Sequence, residues 1–211
     1  MRSLHVLVAC EESQAVTIEF RKRGHEAYSC DLQACSGGHP EWHIMHDAVE
    51  VAYSGCWDLM VGHPPCTYLS RVAIQHNKKP GRLVAREDGI KLFLKLLNAP
   101  IPKICIENPI PQAYVTERVG RWRQVVQPWF FGDEQMKTTA LWLKGLSRLN
   151  GNPENRKPKP SGYNGRGNPY YWAGELVGNS DRAKERSKTF PGIARAMACA
   201  WSEDLGNIYN L

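Results

Sequence analysis

No apolar run in the sequence approaches the roughly 20 residues that a membrane-spanning helix needs. Residues 1–10 lack the pattern of a secretory leader, which argues for a cytoplasmic protein. Seven cysteines are present, an odd number with no regular spacing, and this excludes a disulfide scaffold in favour of free thiols in a reducing compartment. Repeats and domain linkers are missing too. The 211 residues are therefore expected to form one domain, 1–211, with a basic Gly/Asn/Pro-rich insertion at about 150–188. Acids are the scarcer charge. Against 27 Lys and Arg stand 21 Asp and Glu, a formal charge of +6 and a pI near 9.0. That balance favours an anionic partner, nucleic acid first. Also lacking is a glycine-rich turn after the first apolar run, where a phosphate-cradling loop would stand.

What is present is a set of short apolar runs with chemistry at their ends. Residues 5–9 (HVLVA) have the continuous apolar character of a central parallel strand. The turn CEES follows, and Ser13 is placed to cap a helix over 14–23 that Gly24 stops. A second strand over 26–30 ends at Asp31. Strand, turn, helix, strand and acid make a βαβ unit, and Glu11 to Asp31 is the spacing of about 20 residues at which such units place a ribose-binding acid. A short strand over 42–45 would bring Asp47 to the same crevice. Between them lie Cys30, Cys35, His39, His43 and His46. Their spacing fits no pair-plus-pair zinc pattern, so no metal is expected and the histidines are taken as hydrogen-bonding loop residues.

The next strand, 58–61, runs into Gly-His-Pro-Pro-Cys. Two prolines stop the strand and remove two amide donors, which presents Cys66 at a strand's carboxyl end. Open α/β sheets hold their ligands at that end. A further strand over 103–109 ends in Glu107-Asn108-Pro109. A thiol and a carboxyl in one crevice can combine nucleophilic attack with proton transfer. Between the two, residues 67–86 carry Arg71, Lys78, Lys79, Arg82 and Arg86 without an acid, a mobile basic loop suited to a phosphate backbone or simply a solvated one. Helices are expected over 87–98, 112–119 and 193–201, and strands over 125–131 and 140–143 as an antiparallel pair at the sheet edge. The insertion interleaves Arg156, Lys157, Lys159 and Arg166 with Tyr170, Tyr171 and Trp172, a pattern that suits nucleic-acid contact or an ordinary surface excursion.

These residues, in this order, resemble the cytosine-5 DNA methyltransferases, most of all the short phage and prophage forms. Pro64-Pro65-Cys66 matches the family's Pro-Pro-Cys, with Thr67-Tyr68-Leu69-Ser70 where the family has Gln-x-Phe-Ser. Glu107-Asn108-Pro109 matches Glu-Asn-Val. Gln135, Lys137 and Thr139 stand at Gln-x-Arg-x-Arg, and residues 182–191 resemble its Arg-Glu…Phe-Pro segment. The Phe-x-Gly-x-Gly cofactor loop has no counterpart.

The resemblance implies a Rossmann-like α/β methyltransferase fold, a mostly parallel sheet with an antiparallel edge hairpin, and S-adenosylmethionine as cofactor. It implies Cys66 as nucleophile and a protonated Glu107 as general acid. Cys10, Glu11, Ser13, Asp31, Asp47 and Pro64 would line the cofactor, and Ser70, Arg71, Asn108, Gln135, Lys137 and Thr139 the substrate. DNA is the expected partner, with the insertion or a separate protein providing recognition. Two alternatives stay open: a non-catalytic nucleic-acid-binding relative, and the same chemistry on RNA or a free nucleotide.

Overall fold

The alternation of side chains along the central strands decides the architecture. In β1 (His5–Ala9) Val6 and Val8 face one side and Leu7 and Ala9 the other, all fully buried. A strand buried on both faces needs a layer of helices on each. A computed structural model of the chain, which describes residues 2–152, 154–155, 157–171 and 187–203, shows that arrangement. Beyond β1 the strands are β2 (Glu26–Asp31), β3 (His43–Met45), β4 (Leu59–Gly62), β5 (Lys103–Pro109), β6 (Gln124–Val126) and β7 (Thr139–Lys144). They form one seven-stranded sheet in the order β3-β2-β1-β4-β5-β7-β6. Strands β1 to β5 run parallel to one another, and β7 runs antiparallel to both β5 and β6. The expected α/β class, mostly parallel with an antiparallel edge, is therefore the fold observed.

Helices α1 (Ala15–Arg21) and α5 (Pro191–Glu203) cover the face carrying Val6 and Val8, where Phe20, Ile193, Met197 and Trp201 fill the core. Helices α2 (Ala48–Ser54), α3 (Arg82–Leu97) and α4 (Ala113–Val119) cover the other, with Ile90, Phe93, Leu96 and Val115 against Leu7, Met60 and Ile104. The order of the sheet reverses at β1, which has β2 on one side and β4 on the other. The crevice at the carboxyl ends of β1 and β4 is the topological switch point, the ligand position of doubly wound sheets. Among the described residues no helix is long and apolar enough to cross a membrane.

Several elements depart from the sequence expectations. Residues 67–86 are not one long mobile loop. A 3-10 turn covers Arg71–His76, and α3 starts at Arg82, five residues before the expected Glu87. Helix α2 was not foreseen. The strand expected over 125–131 ends at Val126, because Pro128 opens a 3-10 turn over Pro128–Phe131. Within the insertion, β8 (Gly162–Tyr163) and β9 (Pro169–Tyr170) form a small antiparallel hairpin, on which Tyr163 is exposed. Arg156, Trp172 and residues 182–186 lie outside the described residues.

Candidate functional site

Two turns meet at the switch point. The first follows β1. Cys10 and Gln14 both adopt left-handed backbone, each with φ of 59°, a conformation that costs a residue with a Cβ about 1–2 kcal/mol. Glycine would occupy such positions without strain. Here hydrogen bonds hold the turn instead. The Glu11 amide donates to the Cys30 carbonyl at 3.1 Å. The buried Gln14 side chain donates to the His39 carbonyl (2.8 Å) and to Ser29 Oγ (3.2 Å) and accepts from the His39 amide (3.1 Å). Gly37 packs so closely on this turn that a Cβ there would lie 2.5 Å from the Gln14 Cβ. The absent glycine signature is thus replaced by side-chain ties.

Ser13 does not cap α1. Gln14 is the residue preceding the helix and gives no side-chain cap, because the Glu11 carboxylate already holds the free amides. It accepts from the Val16 amide at 2.7 Å, from the Thr17 amide at 3.3 Å and from the Thr17 hydroxyl at 2.7 Å. Burial pushes the Glu11 carboxyl above its ordinary range, and His63 and these donors pull it back. Glu11→Ala should cost about 1–2 kcal/mol in urea denaturation by orphaning two buried amides, and Glu11→Gln distinctly less. Ser13 instead lines a crevice of about 320 Å³ with Ser36, Lys188, Thr189 and Phe190.

Asp31 ends β2, half-buried, with Oδ1 accepting from the Gln33 amide at 2.9 Å. Asp47 is exposed and caps α2, accepting from Val49 and Glu50 amides. Both acids act on Cys10. Burial first, then Asp31, Cys30 and Asp47, push its thiol up to about 12. Cys10, Asp31 and Asp47 therefore share one corner, with exposed Leu32 and Met45 beside them. The loop histidines brace it: His43 is hydrogen-bonded to Ser29 Oγ and to the Gln33 carbonyl, both at 2.8 Å, and the His39 ring stacks on Trp42.

The second turn follows β4. Gly62 ends the strand against Ile106, whose Cδ1 would stand 2.8 Å from a Cβ at that position. The His63 amide donates to the Ala9 carbonyl at 2.9 Å, which fastens this turn to the first. Because β4 and β5 are neighbours, with Gly62 opposite Ile106, the Pro-Pro-Cys turn lies beside Glu107-Asn108. Two side-chain contacts join them. His63 Nδ1 is 2.9 Å from Glu107 Oε2, and Asn108 Nδ2 donates to the Pro64 carbonyl at 2.7 Å. Beyond Cys66, which is half-buried, its carbonyl accepts from the Leu69 and Ser70 amides at 3.1 and 3.0 Å. Ser70 bridges to Pro111. Gln112 holds the whole stretch by donating to the Tyr68 and Ser70 carbonyls and accepting from Asn77.

The basic residues divide into two kinds. Arg82 lies 4.4 Å over Tyr68 and Arg86 4.2 Å over Tyr114, so both are held against the protein. Arg71, Lys78 and Lys79 are exposed.

Glu107 is almost fully buried. Burial alone would raise its carboxyl, but Lys137, the His63 hydrogen bond and charge, and the Thr139 hydroxyl together hold it down to about 2. Lys137 and Thr139 therefore surround Glu107. Lys137 Nζ also donates to the Lys188 carbonyl at 3.1 Å. Gln135 is half-buried on the preceding turn. The expectation of a protonated Glu107 needs correction: at rest it is a carboxylate, held by the charge of Lys137 and the hydrogen bonds of His63 and Thr139. His63, Gln14 and Gln112 carry structural weight here that the sequence expectations did not assign. For His63 the signal was in view, a histidine set directly before the Pro-Pro pair at a strand end.

No family model matches the sequence, and no curated protein is similar to it. Among solved structures, the chain is similar to a candidate DNA modification methyltransferase encoded within an E. coli prophage, at 12% identity and a TM-score of 0.47 over 74% of this chain. The chain spans about half, 52%, of that protein's length.

Proposed function

We propose that the chain transfers a methyl group from S-adenosylmethionine to carbon-5 of cytosine in DNA, through a covalent adduct at Cys66. The observation that carries this reading is the joining of the Cys66 turn to Glu107-Asn108, by the His63–Glu107 and Asn108–Pro64 contacts, at the carboxyl ends of adjacent strands. Carbon-5 of cytosine is a poor nucleophile. Addition of the Cys66 thiolate to carbon-6 pushes the ring electrons onto nitrogen 3 and makes carbon-5 enamine-like. Glu107, a carboxylate at rest, takes up a proton from solvent as the base enters and passes it to nitrogen 3, and Lys137 and Thr139 hold Glu107 in place. A base inside a duplex reaches such a crevice only when flipped out. Ser70, Arg71, Asn108 and Gln135 line the approach, and exposed Arg71, Lys78 and Lys79 meet the phosphate backbone. The hairpin of the 150–188 insertion, part of the same single domain, supplies base contacts through Tyr163.

The cofactor's binding residues fit its chemistry. Asp31 has a carboxylate oxygen for ribose hydroxyls, and exposed Leu32 and Met45 offer apolar surface to an adenine ring beside Asp47. The turn of Cys10, Glu11 and Ser13, with Pro64 across the switch point, would hold its amino-acid end. When bound, the cofactor supplies an electrophilic methyl group.

Two measurements test this reading. Labelled S-adenosylmethionine incubated with unmethylated DNA of mixed sequence should yield 5-methylcytosine, and its absence would overturn the assignment. Asp31→Ala should weaken cofactor binding by calorimetry about tenfold or more through loss of a charge-assisted hydrogen bond; unchanged affinity would make Asp31 purely structural.

A further inference from the structure

Of the eleven exposed large apolar side chains among the described residues, four fall between positions 72 and 84. Val72 and Ile74 stand on the 3-10 turn Arg71–His76 and are 70% and 57% exposed. Ala73 between them is buried and anchors the turn. Its amide donates to the Ser70 carbonyl at 3.0 Å, and the Arg71 amide donates to the Ile110 carbonyl at 2.9 Å. Two aliphatic side chains are therefore held outward on a fastened backbone. Leu83 and Val84 are exposed on the first turn of α3. Arg82 ties that turn to the nucleophile turn by donating to the Thr67 carbonyl at 3.0 Å. All four aliphatic side chains thus flank the turn that carries Cys66.

Single exposed apolar residues are ordinary, but a group of them beside one turn marks an interaction surface. The surrounding charge identifies the occupant. Residues 67–86 hold Arg71, Lys78, Lys79, Arg82 and Arg86 and no acid. Apolar side chains in a rim of one sign suit a polyanion with an apolar interior, and duplex DNA has phosphates outside and stacked base faces within. Valine and isoleucine are branched at Cβ and stiff at χ1, so they lose little freedom on insertion. A flipped cytosine leaves a gap in the stack beside its guanine. We infer that Val72 and Ile74 form an apolar wedge that enters the duplex as the target cytosine leaves it, while Arg71, Lys78 and Lys79 hold the flanking phosphates.

The inference rests on the proposed action on cytosine in DNA. Its test compares two pools of duplex DNA, each with one central cytosine in randomised flanks. In the first pool that cytosine pairs with guanine. In the second it faces an abasic site and is already unpaired. A wedge matters only where a base pair must be broken. The double variant Val72→Ser/Ile74→Ser should transfer methyl groups to the paired pool about 30-fold more slowly than the wild type, and to the unpaired pool within about twofold of it. Val72→Leu/Ile74→Leu keeps the apolar bulk and should restore most of the rate on the paired pool. Both positions are exposed, so the melting temperature should not move. Equal losses on the two pools, or no loss on either, would overturn the wedge; no loss is what a surface built for a protein partner predicts. Binding without a methyl donor separates this inference from the cytosine chemistry. The ratio of affinities, unpaired pool over paired, should rise about tenfold in the serine variant. A wild type that methylates neither pool, with that rise observed, would refute the cytosine reading and leave the wedge standing. An unchanged ratio would overturn the wedge whatever the activity.

Discussion

Replacing Cys66 by serine is expected to lower methyl transfer by on the order of 10⁴-fold or more while cofactor affinity stays unchanged. A serine hydroxyl is almost wholly protonated at neutral pH and is the weaker nucleophile. The substitution removes one sulfur from a half-buried position, and the turn itself is held by main-chain atoms. The Cys66 carbonyl accepts from Leu69 and Ser70, and Gln112 clamps the following residues. The loss should therefore appear in turnover and not in the melting temperature. The other thiols provide internal controls. Burial holds Cys10 at about 12, Cys30 at about 11 and Cys105 well above its ordinary value, so these three are neutral and inert. Cys56 and Cys199 are exposed, and their replacement by serine should leave the rate unaltered. Transfer that survives in Cys66→Ser would move the nucleophile elsewhere.

Glu107→Gln is expected to slow transfer by about 10²–10³-fold, because an amide cannot relay a proton. It should also change the response to acid, which activity does not enter. The folded carboxyl sits at about 2 against an ordinary 4.5. A depressed acid stabilises the fold above its unfolded value and loses that contribution as pH falls toward the folded one. Between about pH 5 and pH 2 the wild type should lose on the order of 3 kcal/mol that the glutamine variant has no means to lose. Urea denaturation across that range measures the difference. Parallel curves would mean that the carboxyl is not held ionised by Lys137, His63 and Thr139.

The parts of this fold that depend on short-range pattern were legible. Continuous apolar runs marked β1, β4 and β5, and the acid or turn ending each run marked the edge where the site lies. What depends on contacts across the chain was not. Ser13 has the composition of a cap, yet the Glu11 carboxylate outcompetes it from the preceding turn. Pro80-Gly81 looks like a loop, but Gly81, with φ of 74°, opens α3 instead of interrupting a segment. Arg82 and Arg86 read as cations open to a phosphate backbone or to solvent because their partners Tyr68 and Tyr114 are distant in sequence. The charge state of Glu107 was the largest departure. It is set by Lys137 and Thr139, which arrive on β7 and the turn before it only because that strand inserts antiparallel beside β5. The turn after β1, CEES, has no glycine. Gln14 then preserves the left-handed turn through bonds to Ser29 and His39 that no local pattern reveals.

The measurement that tests the central claim most directly is mass spectrometry of the protein after incubation with S-adenosylmethionine and duplex DNA containing 5-fluorocytosine. Fluorine at carbon-5 cannot leave as a proton does, so the adduct formed during methyl transfer should persist. The account predicts a nucleotide-bearing peptide linked through Cys66, and none from the Cys66→Ser protein. An adduct on any of the other six cysteines, or an unmodified wild-type protein under conditions where cofactor and DNA are bound, would contradict it.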